Sequence, residues 1–420
     1  MLDLKWIREN PDLVRSGLSA KNAHTGLDEL LRLDGDRRSL LKEADELKAK
    51  RNTANEEIVR LKSSGQKQEA EAIIESMKSI SQKIKEIDQK VGDADSKMDL
   101  ILKVIPNIPH SDVPVGPGNS ANKVVRTWGQ PKTFSFKPKD HLELAEKHGW
   151  LSMSRGSKIT GTAFPVYEGG GARLERALIN MMLDTHSNQH GYKEIWPPAL
   201  VNRQSMTGTG QLPKFEEEMY RLKDDDLFLV PTAEVPVTNL LRDEILEESD
   251  LPVKYTAYSP CFRREAGSYG KDTKGLSRVH QFDKVELVKF VRPEDGLKEL
   301  ESLVGEAETI LQKLELPYRV VLLGSGDMSF SAAKCYDLEV WGPGTGRWFE
   351  VSSCSWFADF QARRMNIKFR RAGAKKPELV HTLNGSGVAL ARTVLCLLEN
   401  GQTEDGQILF PQALRPYLGQ

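Results

Sequence analysis

A chain of 420 residues is too long for one small core and, at roughly 100–200 residues per domain, divides into two or three. Its 59 Lys and Arg against 60 Asp and Glu leave a formal net charge of −1, so any nucleic-acid contact must come from a local patch and not from overall charge. The four cysteines (Cys261, Cys335, Cys354, Cys396) stand far apart with no CxxC pair, which excludes a closely spaced disulfide framework and reads as free thiols in a reducing cytosol.

The opening MLDLKWIREN carries charges where a secretory segment would be apolar, and no run approaches the ~18 apolar residues of a membrane span. A cytoplasmic protein without a membrane partner is expected. From Ile73, the residues Met77, Ile80, Ile84, Ile87, Val91, Ala94, Met98 and Ile101 recur at alternating steps of four and three, a heptad seam. Upstream, Leu33, Leu40, Leu47, Ala54 and Leu61, interleaved with Arg37, Ala44, Arg51 and Ile58, form a second and less apolar seam. The break SSGQK (63–67) between them predicts a hairpin, hence an antiparallel coiled-coil arm over residues 1–105 with its tip near 63–67. At ~1.5 Å per residue the helix from Asp28 to Ser63 reaches on the order of 50 Å. Such an arm serves either as a dimerisation or spacer coil or as a lever. Six cations against two acids between Lys48 and Lys67 suit a basic tip that grips phosphate.

The Pro- and Gly-rich stretch PNIPHSDVPVGPGNSAN (106–122) predicts a linker, leaving 123–420 as a body. Its helix and strand signals mix without βαβ alternation, which predicts α+β. Leu174, Leu178, Met181 and Met182 share one helical face that ends at His190-Gly191, and YKEIWPPALV, broken by two prolines, predicts an edge strand. His186 and His190 stand four apart on that helix without an evident third ligand, so no zinc is expected.

YSPCFRRE and VHQFDKVELVKF flank a polar, Gly-containing loop and predict a β-hairpin. Alternation puts Arg263 and Glu265 on one face of the first strand, turns Arg264 to the other, and puts Phe282, Lys284 and Glu286 on one face of the second. That set suits a nucleotide, with Arg for phosphate and Phe for stacking, or else a cross-strand salt-bridge ladder with Phe282 in the core. In WFEVSSCSWF, Glu350 belongs to a strand expected to be at least half buried and so needs a partner. A hard cation such as Mg²⁺ fits there with Ser353, provided a bulge or strand end interrupts the alternation that otherwise pairs Glu350 with Ser352. HTLNGSGVALARTVLCLLEN predicts a polar turn and then an apolar helix carrying Arg392, which either meets an acid or serves an anion near the helix N-terminus.

These clusters, in this order and behind such an arm, resemble the class II aminoacyl-tRNA synthetases, specifically the bacterial type of seryl-tRNA synthetase, over essentially the whole chain. RALINMMLDTHSNQHGYKEIWPPALV, CFRREAGSYGKDTKGLSRVHQFDKVELV and NGSGVALARTVLCLLEN look like the three class II motifs, and PTAEVP (231–236) like the serine-pocket segment. The resemblance implies an antiparallel sheet with flanking helices, a homodimer, and a two-step reaction with ATP, Mg²⁺, L-serine and tRNA(Ser), with tRNA(Sec) a further acceptor. It implies that Arg263 and Arg392 are catalytic. ATP would be held by Arg263, Arg264, Glu265, Val279, Phe282, Glu350, Val351, Ser352, Ser353 and Arg392. Serine would be held by Thr232, Ala233, Glu234, Arg263, Glu286, Asn384 and Ser386, and Mg²⁺ by Glu350 and Ser353. The arm would grip the tRNA. Two other readings stay open: an adenylating enzyme with a non-tRNA acceptor, and a coiled-coil RNA-binding scaffold without catalysis.

Overall fold

The computed structural model describes residues 1–266 and 274–419, which divide into two compact units. One unit comprises Leu4–Leu18 and Ala23–Ile105. Its two long helices, α1 (Leu27–Ser63) and α2 (Lys67–Val104), are joined by a tight turn in which Gly65 takes φ +81° and the Gln66 N–H returns to the Leu61 carbonyl. Every residue of the two heptad seams is buried or half-buried, whereas Val59 and Leu100, which fall outside them, are 68% and 63% exposed. The two helices run antiparallel, and ion pairs flank the seam: Arg37 with Asp95 (2.5 Å), Lys48 with Asp88 (3.2 Å) and Lys83 with Glu43 (2.7 Å). Exposed pairs of this kind add little stability, so burial of the seam carries the arm.

The other unit comprises Met1–Asp3, Ser19–Asn22 and Pro106–Gln420. Among the described residues, its main sheet has eight strands: β1 (Lys123–Trp128), β2 (Lys193–Ile195), β3 (Val253–Phe262), β4 (Gln281–Val291), β5 (Tyr318–Leu322), β6 (Lys334–Gly342), β7 (Arg347–Trp356) and β8 (His381–Ala389). They lie in the order β1-β5-β6-β7-β8-β4-β3-β2. All neighbours pair antiparallel except β2 with β3. Within YKEIW, Lys193–Ile195 is therefore an edge strand, and Trp196, just beyond it, is 76% exposed.

One face of the sheet is closed by α3 (Gly170–Gln189), α4 (Gly296–Lys313) and α5 (Leu390–Gly401). Leu174, Leu178, Met181 and Met182 of α3 pack with Leu300 and Leu303 of α4, Val394 of α5, and the sheet residues Val285, Leu287, Leu338 and Val351 in one core. The opposite face carries smaller apolar patches, where Ala257, Val288 and Phe290 meet Ala233, Val237 and Met365, and where Val321 and Cys335 meet Val113 and Met328. The rest of that face is the polar floor that holds the candidate site.

One expectation is corrected here. HTLNGSG is not a turn but most of β8, and the helix begins only at Leu390. Small polar residues form a strand because the segment runs between β7 and β4, which take up its backbone groups.

Ile87→Ala, at a seam position with 3% exposure, should destabilise the helical pair by about 2–5 kcal/mol, read as a lower urea midpoint of the far-ultraviolet helical signal. Val59→Ala should stay within about 0.5 kcal/mol. Equal midpoints for the two variants would mean that the seam is misplaced.

Candidate active site

Strand β3 ends at Phe262 opposite Gln281, but the chain keeps its pairing one residue further. The Arg263 N–H donates to the His280 carbonyl (2.9 Å), and His280 Nδ1 lies 3.0 Å from the Arg263 carbonyl. Arg263 thus stays on the face of Cys261 and Phe282, with its guanidinium carbon 5.2 Å from the Phe282 ring centroid and its Nε donating to the Pro231 carbonyl at 3.3 Å. A cation over a ring face is a favourable contact and leaves the guanidinium edge free to meet phosphate.

The expected alternation does not reach Glu265. That residue lies beyond the strand with φ +49°, and its carboxylate meets Arg278 at 2.5 Å. Arg264 is exposed, with its N–H on the Glu218 carbonyl, and Val279 is buried in the helix-covered core. Of the polar loop between the hairpin strands, residues 267–273 lie outside the described residues.

Further along the floor, Glu286 has no exposed surface. Its carboxylate accepts from Thr232 Oγ1 (2.7 Å) and Asn384 Nδ2 (2.7 Å), and Lys284 Nζ stands 2.5 Å away. Three elements are needed for this: β4 for the ion pair, the PTAEVP segment for Thr232, and β8 for Asn384, with Ser386 directly opposite Glu286 in the β8/β4 register. Glu234 starts a short helix (Glu234–Asn239) and is bound by Gln361, whose Nε2 donates to it at 2.7 Å while its Oε1 accepts from Thr382. Burial, and then the neighbouring Glu286 charge, push the Glu234 carboxyl up to about 7. Ala233, fully buried, packs in the core beneath.

The third cluster depends on a register shift. In the β6/β7 pairing Leu338 faces Ser352 and Glu339 faces Glu350, so Val351 is an extra residue. This bulge brings Glu350 and Ser353 onto one face, together with Asp337 opposite Ser353. The Glu350 side chain is 47% exposed, less buried than its strand setting implied, because the bulge turns it to the open floor. Val351 and Ser352 turn to the covered side, Val351 into the core and Ser352 Oγ onto the Ser386 carbonyl (2.7 Å), so only their backbone is left for a ligand. Arg392, at the start of α5, donates through Nε to the Ser277 carbonyl (3.0 Å) and through Nη1 to the Glu350 carbonyl (2.8 Å), with the Glu350 carboxylate at 3.5 Å. The acid partner expected for Arg392 is Glu350, and the residue lies in the first turn of α5.

Registers place these clusters together. Ala389 is opposite Lys284, and Glu350 lies toward that same end of β7, as do Phe282 and Arg263 on the hairpin. Burial and then the Glu350 charge hold the Asp337 carboxyl well above the usual carboxylate range. Among the described residues no group of three His, Cys, Asp or Glu is placed to hold a metal alone. Hard oxygen donors from Glu350 and Ser353 suit Mg²⁺, which takes one or two protein ligands and completes its shell with phosphate and water.

Sequence reasoning placed Lys284 on this face without giving it a role, and missed Gln361 and Asp337. Lys284 was detectable as an i−2 neighbour of Glu286; the other two come from segments whose pairing no local pattern reveals.

Residues 1–109 match the Seryl-tRNA synthetase N-terminal domain family, and residues 214–401 match the tRNA synthetase class II core domain (G, H, P, S and T). The chain is 55% identical over 419 residues to a serine--tRNA ligase of Trichlorobacter lovleyi, spanning 100% of this chain and 98% of the relative. It is equally identical to one from Desulfitobacterium hafniense, spanning 100% and 99%. The solved seryl-tRNA synthetase of Pyrococcus horikoshii complexed with ATP superposes with a TM-score of 0.94 at 38% identity, covering 100% of this chain and 98% of that one. The chain belongs to the seryl-tRNA synthetase family of class II aminoacyl-tRNA synthetases.

Proposed function

We infer that this chain ligates serine to tRNA in two steps. Serine and ATP first give seryl-adenylate and pyrophosphate; the 3′-terminal ribose hydroxyl of the tRNA then takes the seryl group and AMP leaves. The observation that carries this function is the continuity of the floor, on which the Thr232–Glu286–Asn384 pocket adjoins the Arg263–Phe282 stack and the Arg392–Glu350 pair.

In the first step the serine carboxylate is the nucleophile, so the protein needs to supply no base. Its contribution is orientation and neutralisation of charge building on the phosphate oxygens, for which Arg263 would meet the α-phosphate and Arg392 the γ-phosphate. Phe282 would stack the adenine, Glu265 would accept from its exocyclic amine, and Val279 would contribute backbone. Glu350 and Ser353 would hold Mg²⁺, which supplies charge neutralisation on the phosphates. Thr232 and Glu234 would take the serine ammonium. A carboxylate has about four lone-pair sites. Glu286 uses three of them, and the fourth is the acceptor for the serine hydroxyl.

The tRNA(Ser) grip is assigned to residues 1–105, with the basic tip near 63–67 on phosphate, and residues 106–122, which pack as part of the second unit and not as a free linker, lead into a catalytic body of 123–420. Self-association through the edge strand β2 and the exposed Trp196 belongs to the same proposal. So does a cytosolic setting, in keeping with four free, buried cysteines and the absence, among the described residues, of any helix long and apolar enough to cross a membrane.

Exchange of pyrophosphate into ATP should require serine and should fall by about 10²–10³-fold in Arg263→Ala. Robust exchange without serine, or undiminished exchange in the variant, would sink the assignment. Deleting Asn52–Gln82, which shortens both helices of the arm together, should spare exchange and abolish tRNA charging; surviving charging would remove the arm from recognition.

The ammonium needs Glu234 ionised, and its carboxyl, raised to about 7, faces Glu286, Lys284 and Arg263. Below that value the free enzyme holds a proton that serine must displace. The KM for serine should therefore climb about tenfold per pH unit as pH falls below 7 and level off above it, while the KM for ATP stays flat. A serine KM independent of pH between 5.5 and 8 would refute the role of Glu234.

A further inference from the structure

The His186/His190 pair has no part in the chemistry above, yet it lies directly behind the serine pocket. His186 is in the last turn of α3 and has no exposed surface. Its Nδ1 is 2.9 Å from His190 Nδ1, and its ring meets Tyr192 edge-on at 5.9 Å. Its Nε2 lies against the Gly387 backbone without a hydrogen bond of normal geometry to any described residue, and a Cβ added to Gly387 would stand 2.8 Å from that nitrogen. Burial, then His190, lowers the His186 pKa to about 3, so the ring is neutral at working pH.

Gly387 is the extra residue of the β8/β4 pairing: Ser386 faces Glu286, and Val388 faces Val285. Without the bulge, plain alternation would keep Asn384, Ser386 and Val388 on one face, putting Val388 on the polar floor. With it, Asn384 and Ser386 look onto the floor while Val388 enters the core with no exposed surface. The glycine is required by space, since its φ is not in the left-handed region and any side chain there would meet the imidazole. His186 fills the back of the bulge and fixes the point at which the strand changes phase.

We propose that His186 is a positioning residue for serine recognition, its imidazole propping the Gly387 bulge that holds Asn384 and Ser386 toward Glu286. The proposal rests on the serine-activating role given above. A smaller or differently shaped residue at 186 lets the bulge relax, and the pocket loses its alignment while the nucleotide end, built on the hairpin, keeps its own.

Pyrophosphate exchange on the full-length protein tests this, with wild type confirming serine dependence in the same assay so that failure of the broader function shows separately. His186→Leu should raise the serine KM tenfold or more with the ATP KM changed less than twofold. His186→Gln, which returns a polar group near the Nε2 position, should recover most of the difference. Gly387→Ala should raise the serine KM similarly, and adding His186→Ala, which empties the space its methyl needs, should restore at least threefold of the loss. Equal rises in both KM values, an unchanged serine KM in His186→Leu, or no recovery in either the Gln variant or the double variant would overturn the proposal. If His186→Leu does not fold, the Gln variant and the Gly387 pair decide it alone.

Discussion

A carboxylate with no exposed surface is the constraint around which the body is organised. Burying an ionised group alone costs several kcal/mol after relaxation, and Glu286 is tolerated only because Lys284, Thr232 and Asn384 surround it within 2.5–2.7 Å. These partners come from one strand, one loop and a second strand as far apart in the chain as Thr232 and Asn384, so the pocket cannot form piecemeal. The same buried charge acts on its neighbour. Glu234, with Gln361 as its donor and Glu286 nearby, is driven toward neutrality.

Around that pocket the sheet has to do two incompatible things, packing helices on one side and displaying polar groups on the other, with strands that also feed a helix. Strict alternation cannot manage this where β7 and β8 cross the site. Two bulges resolve it. The extra residue at Val351 turns Glu350 and Ser353 to the floor and sends Val351 into the core; the extra residue at Gly387 lets Ser386 face the floor and Val388 the core.

Much of this was legible in the sequence, for reasons that differ by element. The arm was legible because a two-helix seam is a purely local pattern: burial repeats every seven residues and nothing distant interferes. The hairpin was legible for the same reason, and Phe282, Lys284 and Glu286 lie on one face as period two demands. Legibility failed where the period breaks. Alternation extended to Glu265 ran past the end of β3 into a residue with positive φ. HTLNGSG read as a turn because Gly and Ser weaken strand propensity, and only its neighbours on both sides make it a strand. The bulge at Val351 was recognised as a requirement for joining Glu350 to Ser353 but could not be located without a partner strand. Gln361 and Asp337 reach the site through tertiary pairing alone, and no spacing announces them.

With the serine hydroxyl on Glu286 as proposed, the pocket's discrimination follows from the same saturation of that carboxylate. An analogue without the hydroxyl leaves the fourth lone pair buried and unmet, a penalty that hydrogen-bonding sites turn into rejections of about 10⁴–10⁵-fold. Threonine keeps the hydroxyl and escapes that penalty, so it must be refused by shape, and a methyl is refused only by a wall that does not yield. Groups free to move would adapt at little cost. In that assignment the wall groups Thr232 and Asn384 are tied to a buried ion pair in front, and Ser386 adjoins a close-packed bulge behind, where Val285 and His186 leave no room for even one added carbon at Gly387. Rigidity at the back of a strand is therefore part of selectivity at its front.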